Sequence, residues 1–207
     1  MPRLLCLVLV LLLAGCSSLP ETPPAQRSFL LTLPADAEFS AGERRPGVLL
    51  VDSNAGNSAY DQRRMAYRHN PHEIRYYAAS QWASSPAEML RAAVVESLEP
   101  AALTETVLQR EGYVRHDYRL ELQLLRLSHE YAETPMRGEL VVAARLLRRG
   151  AEVLAADRFQ ASSPAEGEGP AAGVQAQSRA LRAVIEELLV FLDENLPREL
   201  PKDRYGD

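Results

Sequence analysis

From Tyr118 to Leu124 apolar and polar residues alternate without a break, Tyr118, Leu120, Leu122 and Leu124 against Arg119, Glu121 and Gln123. Successive side chains of a strand point to opposite faces, so this run buries one face and leaves the other to water. Leu125 and Leu127 then shift the phase by one residue, as a β-bulge does, or a strand leaving its sheet. Leu140 to Leu147 and Val153 to Phe159 follow, separated by Arg148-Arg149-Gly150-Ala151, which reads as a tight turn. The three runs predict an antiparallel meander with one polar face, and such a sheet needs something apolar laid on its other side.

Two segments can supply that cover. Ser85-Pro86-Ala87-Glu88 offers an N-cap serine, proline at the first helical position and glutamate at the third, and Leu90, Val94 and Leu98 then recur every four residues until Pro100. Leu181, Val184/Ile185, Leu188 and Phe191/Leu192 make a second stripe at helical spacing, closed by Asn195 and Pro197. Phe29 to Leu33 and Val48 to Val51 read as short strands by length and flanking Pro and Gly. Met65 to Arg68 and Glu73 to Ala79 flank His69-Asn70-Pro71-His72 and read as a hairpin, and Ser162 to Gly173 reads as a flexible loop by its Gly, Pro and Ser content. The order is strands, hairpin, helix, meander, helix. It predicts an α+β fold, a mainly antiparallel sheet with two amphipathic helices packed on one face.

Chemistry is conspicuous mainly by what is missing. The chain carries 23 Lys+Arg against 28 Asp+Glu, without the basic excess that binding a phosphate backbone demands, so no nucleic-acid partner is expected. There is no phosphate-cradling G-x-x-x-x-G-K-[ST] loop, no G-x-S-x-G elbow and no G-x-G-x-x-G turn. His69 and His72 lie across a turn with no cysteine near them in sequence and read as solvated. His116 and Asp117 are neighbours on a strand and point apart, and Glu166 and Glu168 sit in the Gly-rich stretch. No catalytic residue, metal site or cofactor is expected. The pairs Arg44-Arg45, Arg63-Arg64 and Arg148-Arg149 read as surface charge. Trp82 and the Tyr67/Tyr76/Tyr77 hairpin have two readings, core or partner contact. Aromatic side chains often anchor interfaces, which makes Tyr67, Tyr77 and Trp82 the candidate contact residues.

The amino-terminal sixteen residues state an address. Arg3 precedes ten apolar residues, Leu4 to Leu13, and Leu13-Ala14-Gly15-Cys16 gives way to Ser17-Ser18. The apolar run is about half of the roughly 20 residues that span a bilayer, so it reads as a signal peptide, residues 1–15, and not as a transmembrane helix. Leu-Ala-Gly-Cys resembles the bacterial lipobox, in which the cysteine is acylated and becomes the first residue of the mature chain. Two acyl chains on Cys16, at about 0.8 kcal/mol per buried methylene, anchor it stably in a bilayer. Ser17 stands where Asp tends to retain lipoproteins at the inner membrane, which points to the periplasmic face of the outer membrane, with inner-membrane retention as the alternative. Residues 16–27 carry three prolines and no apolar period, a tether reaching roughly 30 Å if extended. The expected domain is then 28–196, followed by a polar tail, 197–207.

The lipobox, this tether, the run Ser28-Phe-Leu-Leu-Thr-Leu-Pro34 and above all Met65 to Leu90 (M-A-Y-R-H-N-P-H-E-I-R-Y-Y-A-A-S-Q-W-A-S-S-P-A-E-M-L) resemble the ABC-type transport auxiliary lipoprotein family, also described as PqiC-like. In that family a Tyr-containing hairpin runs into a Trp-Ala pair and the first helix, as Trp82-Ala83 does here. The resemblance implies a non-enzymatic periplasmic component of an intermembrane lipid-transport system. The implied partners are an MCE (mammalian cell entry) type substrate-binding subunit and, since some members form rings, further copies of the chain. A structural chaperone for outer-membrane assembly is the alternative function.

Overall fold

The computed structural model describes residues 25–40, 42–110, 112, 114–149 and 152–200. Its elements are β1 (Arg27–Phe29), β2 (Arg45–Ala55), a 3-10 turn (Ser58–Tyr60), β3 (Arg64–Asn70), β4 (Glu73–Trp82), α1 (Pro86–Ala101), β5 (Thr104–Leu108), β6 (Tyr118–Glu130), β7 (Arg137–Arg148), β8 (Glu152–Pro164) and α2 (Gly169–Asn195).

The alternating run is the axis of the sheet. One edge of β6 pairs with β7 along its whole length, Tyr118 opposite Arg148 and Glu130 opposite Arg137, and β8 continues the antiparallel meander beyond β7. The other edge is shared. Parallel β2 takes the first half, Leu49 opposite Tyr118 through Ala55 opposite Leu124, and parallel β3 takes Ser128 to Glu130. Between them the register on β7 jumps from Leu124 to Arg126, so the phase shift in the sequence is a bulge at Leu125. At that point Gly56 donates to the Leu124 carbonyl at 2.9 Å as the chain leaves the sheet. β2 and β3 therefore behave as one parallel strand interrupted by the 3-10 turn. Outside β2 lies parallel β5; outside β3 lie antiparallel β4 and then parallel β1.

Both helices cover one face. α1 starts as its sequence requires: the Ser85 hydroxyl accepts from the Glu88 N–H at 3.3 Å and the Glu88 carboxylate accepts from the Ser85 N–H at 3.4 Å. It buries Leu90, Val94, Val95 and Leu98 over β2, β5 and β6, and Pro100 lies inside its last turn, one residue before the end. α2 lays Leu181, Val184, Ile185, Leu188 and Leu192 on β7 and β8, with the Phe191 ring edge-on to Phe159 at 5.6 Å between centroids. The outward face carries a ladder of cross-strand charges: Glu121 with Arg145 at 2.7 Å, Arg126 with Glu139 at 2.9 Å, and Arg68 with Glu130 at 3.7 Å.

Three expectations are corrected. Of Phe29 to Leu33 only Phe29 is in a strand. Leu31 instead turns under α1, its N–H directed at the Met89 sulfur at 3.4 Å, and the chain from 30 to 40 forms a strap over the helix layer. β5 intervenes between α1 and the meander; Thr-Glu-Thr-Val-Leu is too short and polar to show a strand period, and its pairing with β2 makes it one. The expected loop 162–173 is strand to Pro164 and helix from Gly169. Of its glycines, Gly173 is there for contact: a Cβ on it would overlap the His129 ring.

Candidate functional site

The bulge at Leu125 brings Leu127, His129 and then Tyr131 to the helix-covered side, and the parallel register Tyr67 to His129 places Tyr67 beside them. The hairpin adds Tyr77 from β4. The Tyr67 and Tyr77 rings lie 4.7 Å apart, Tyr67 meets Tyr131 edge-on at 5.8 Å, and exposed His69 closes the group at 5.0 Å from Tyr131. Tyr67, Tyr77 and Tyr131 are each half-buried, so the cluster is a face open to solvent on one side.

Beneath it runs a hydrogen-bonded chain. His129 is fully buried, and burial holds its imidazole down at about 4, opposed by the hydrogen bond to Gln177. The ring is therefore neutral at neutral pH. Its Nε2–H donates to Gln177 Oε1 at 3.0 Å, its Nδ1 accepts from the Tyr77 hydroxyl at 3.0 Å, and the Tyr77 oxygen accepts from Tyr131 at 2.8 Å. Burial and the Tyr131 hydrogen bond push the Tyr77 phenol well above its ordinary value. The Tyr77 hydroxyl is therefore not activated for nucleophilic attack. The chain ties α2 to the hairpin by direction and shape, and Gly173 and Gly138 let helix and sheet close on it: a Cβ on Gly138 would meet Ala176 and Gln177 of α2.

Of the three aromatic residues singled out in sequence, the structure brings together Tyr67 and Tyr77 but not Trp82. Trp82 is only 1 % exposed. Its backbone pairs with Arg63 and Phe29 and its ring lies in the main core, so it is corrected from contact residue to core residue. Cys16 lies outside the described residues. His72 is exposed in the hairpin turn, its N–H on Asn70 Oδ1, while Asp117 accepts from the Val48 N–H at 2.9 Å and so serves the sheet. Glu166 reaches Arg179 at 3.5 Å. Among the described residues no three His, Cys, Asp or Glu side chains gather as a metal cluster. Sequence reasoning missed Tyr131, His129 and Gln177. The signal was present: once Leu125 is read as a bulged residue, His129 becomes a polar side chain on the apolar face and needs a partner there.

Two clefts flank the strap, each of about 580 Å³. One lies against α2, with Leu33, Pro34, Val174 and Arg182 in its walls, and one against α1, with Ala37, Phe39 and Glu96. No helix among the described residues is long and apolar enough to cross a membrane.

This arrangement has relatives. The family described as the ABC-type transport auxiliary lipoprotein component matches residues 29–188. The chain belongs to that family. The crystal structure of protein XCC0632 from Xanthomonas campestris, family DUF330, is 25% identical, with 83% of this chain and 94% of that one covered at a TM-score of 0.66. A second crystal structure, of an uncharacterized protein, shares the fold at 12% identity and a TM-score of 0.59, covering 84% of this chain and 99% of its own. Among curated proteins none matches. As an auxiliary lipoprotein component of an ABC-type transport system the chain is a membrane-associated transport protein by family, and the family match begins at the end of β1 and closes within α2.

Proposed function

We propose that the chain is a non-enzymatic docking or conduit subunit of an ABC/MCE-type intermembrane lipid-transport system. Acylated Cys16 fixes it to the periplasmic face of the outer membrane, the Pro-rich residues after it set its distance, and the α+β domain meets an MCE-type subunit or further copies of itself. The family match over 29–188 carries the reading, because it ties this domain to a transport system. Two features support it. The lipobox ends in Cys16 directly after an apolar run, and the Tyr67/Tyr77 face presents half-buried aromatic side chains held rigid by buried partners, which is how interface anchors are built.

Photocrosslinking in intact cells tests it, with probes at Tyr67 and His69 of the lipidated chain and adducts identified by mass. Adducts with an MCE-type subunit or with the chain itself are expected. Adducts with an outer-membrane barrel protein alone overturn the reading in favour of an assembly chaperone. Cys16→Ala should move the chain from the outer-membrane fraction to the soluble periplasm; persistence in the outer membrane overturns the anchor.

A further inference from the structure

The cleft between the strap and α2 is held open by the strap's own anchors. Leu31 is buried under α1 at one end, Phe39 packs against the main core at the other, and the Ala37 N–H donates to the Pro34 carbonyl at 3.0 Å, fixing the bend between them. The strap therefore stands off the helix. It leaves about 580 Å³, within the range of roughly 300–1,000 Å³ that small-molecule sites occupy. Leu33, Pro34 and Val174 line it, each half-buried, with Leu33 and Val174 backed by the core. A preformed apolar recess of that size suits a hydrocarbon chain, which gains by leaving water there.

Its polar side carries charges of both signs. Arg179 and Arg182, three residues apart and so on one face of α2, both line the cleft, and so does Asp36 of the strap. Nε of Arg179 donates to the Ser163 hydroxyl at 3.0 Å and Nη2 to the Pro164 carbonyl at 2.6 Å. Two neutral oxygens at the end of β8 thus orient this guanidinium without cancelling its charge. Glu166 reaches it at 3.5 Å but is 80 % exposed, where water screens the pair. Arg182 donates to Glu186 at 2.9 Å and meets Asp36 at 3.6 Å, beyond hydrogen-bond length, with Asp36 82 % exposed. Two guanidinium forks suit a phosphate, and a weakly engaged carboxylate beside them suits an ammonium. A zwitterionic headgroup supplies both on one molecule.

We infer that the cleft between the strap and α2 binds a phospholipid of the phosphoethanolamine class, an acyl chain along Leu33, Pro34 and Val174, its phosphate on Arg179 and Arg182 and its ammonium on Asp36. The inference rests on the lipid-transport reading and deepens it by naming the class of lipid that the domain holds. Transporter adducts from probes at Tyr67 and His69 test that reading on another face. Such adducts without lipid in the cleft overturn this inference alone, and lipid in the cleft without such adducts upholds it while the docking role falls.

A lysophosphatidylethanolamine with a photoreactive acyl chain tests the site on the full lipidated chain in dodecyl maltoside, with adducts mapped by mass and the fold followed by circular dichroism. Labelling is expected on residues 32–36 and 174–182 and should be suppressed by unlabelled lysophosphatidylethanolamine. Lysophosphatidylglycerol, which lacks the ammonium, should compete roughly tenfold less well, and inorganic phosphate should not compete. Arg179→Gln with Arg182→Gln should cut labelling by roughly tenfold or more. Asp36→Asn should keep the labelling and erase the preference over lysophosphatidylglycerol, a change of selectivity that a misfolded variant would not give. Labelling scattered over other faces, or indifferent to the arginine pair, overturns the inference. Equal competition by lysophosphatidylglycerol overturns the headgroup assignment, and competition by inorganic phosphate reduces the site to one for anions and overturns the lipid.

Discussion

Strand β6 is buried in two different ways along its length. Its first half, Tyr118 to Leu124, lies in a continuous apolar layer with Leu49, Val51, Val142, Ala144 and the stripes of both helices. Past the bulge the same face carries His129 and Tyr131, covered by Gln177 and the small residues at the start of α2. The first half is stabilised by area removed from water, which is non-directional and depends on volume. The second depends on donors finding acceptors and on two glycines allowing the approach, and it is this half that supports the tyrosine face. Burial by area makes a platform; burial by hydrogen bonds makes a surface of fixed geometry.

The largest effect should come from the apolar half. Leu122 is fully buried at the centre of the layer, so Leu122→Ala should cost about 2–5 kcal/mol in urea unfolding, transfer and cavity together. A loss under about 1 kcal/mol would mean that α1 and α2 collapse onto the gap, and the contrast with the polar half would fail.

pH should separate the halves next. His129 titrates at about 4 in the folded chain against 6.5 unperturbed, because burial disfavours the cation. As pH falls the unfolded chain therefore takes up the proton first. The stabilisation is complete above about 6.5 and is lost between there and about 4, on the order of 3 kcal/mol in total. Urea unfolding across that window checks it: His129→Gln should flatten the profile, and an unchanged slope would place the titration elsewhere.

How much of this was legible follows the same division. Period-2 alternation, the capping box and the two helical stripes are local signals, and α1, the hairpin, the meander and the apolar half of β6 could be read from them. The Tyr67 and Tyr77 pairing was also within reach, since a tight hairpin brings its strands together. The interrupted β2–β3 strand, β5 and the start of α2 depend on which distant residue lies alongside, which composition does not encode. Gly173 shows the failure sharply. In sequence it belongs to a Gly- and Pro-rich stretch that looks like a loop, and in the fold it is helical, its missing side chain leaving room for His129.

That reading of Gly173 can be broken by one methyl group. In an ordinary helix interior Gly→Ala stabilises by up to about 1 kcal/mol. Here the added Cβ would overlap the imidazole, so Gly173→Ala should instead destabilise by about 1–3 kcal/mol, the cost of overpacking. The cause is checked by a double-mutant cycle with His129→Ala, in which the penalty should largely disappear because the group it strikes is gone. A penalty of the same size in both backgrounds would place the clash with the helix backbone and remove His129 from the account.

The smallest effect belongs to the outward face and sharpens the contrast from the other side. Glu121 and Arg145 meet at 2.7 Å, but the arginine side chain is 51% exposed, and water and salt screen such a pair. Arg145→Ala should cost under about 1 kcal/mol, and a double-mutant cycle with Glu121→Gln should give a coupling of about 0.2–1 kcal/mol that shrinks as salt is added. A coupling well above that, indifferent to salt, would require a low dielectric around the pair, and that would mean another molecule covering the charge ladder. A small coupling leaves the ladder facing water, in contrast to the half-buried tyrosine face, whose geometry is held from beneath by His129 and Gln177.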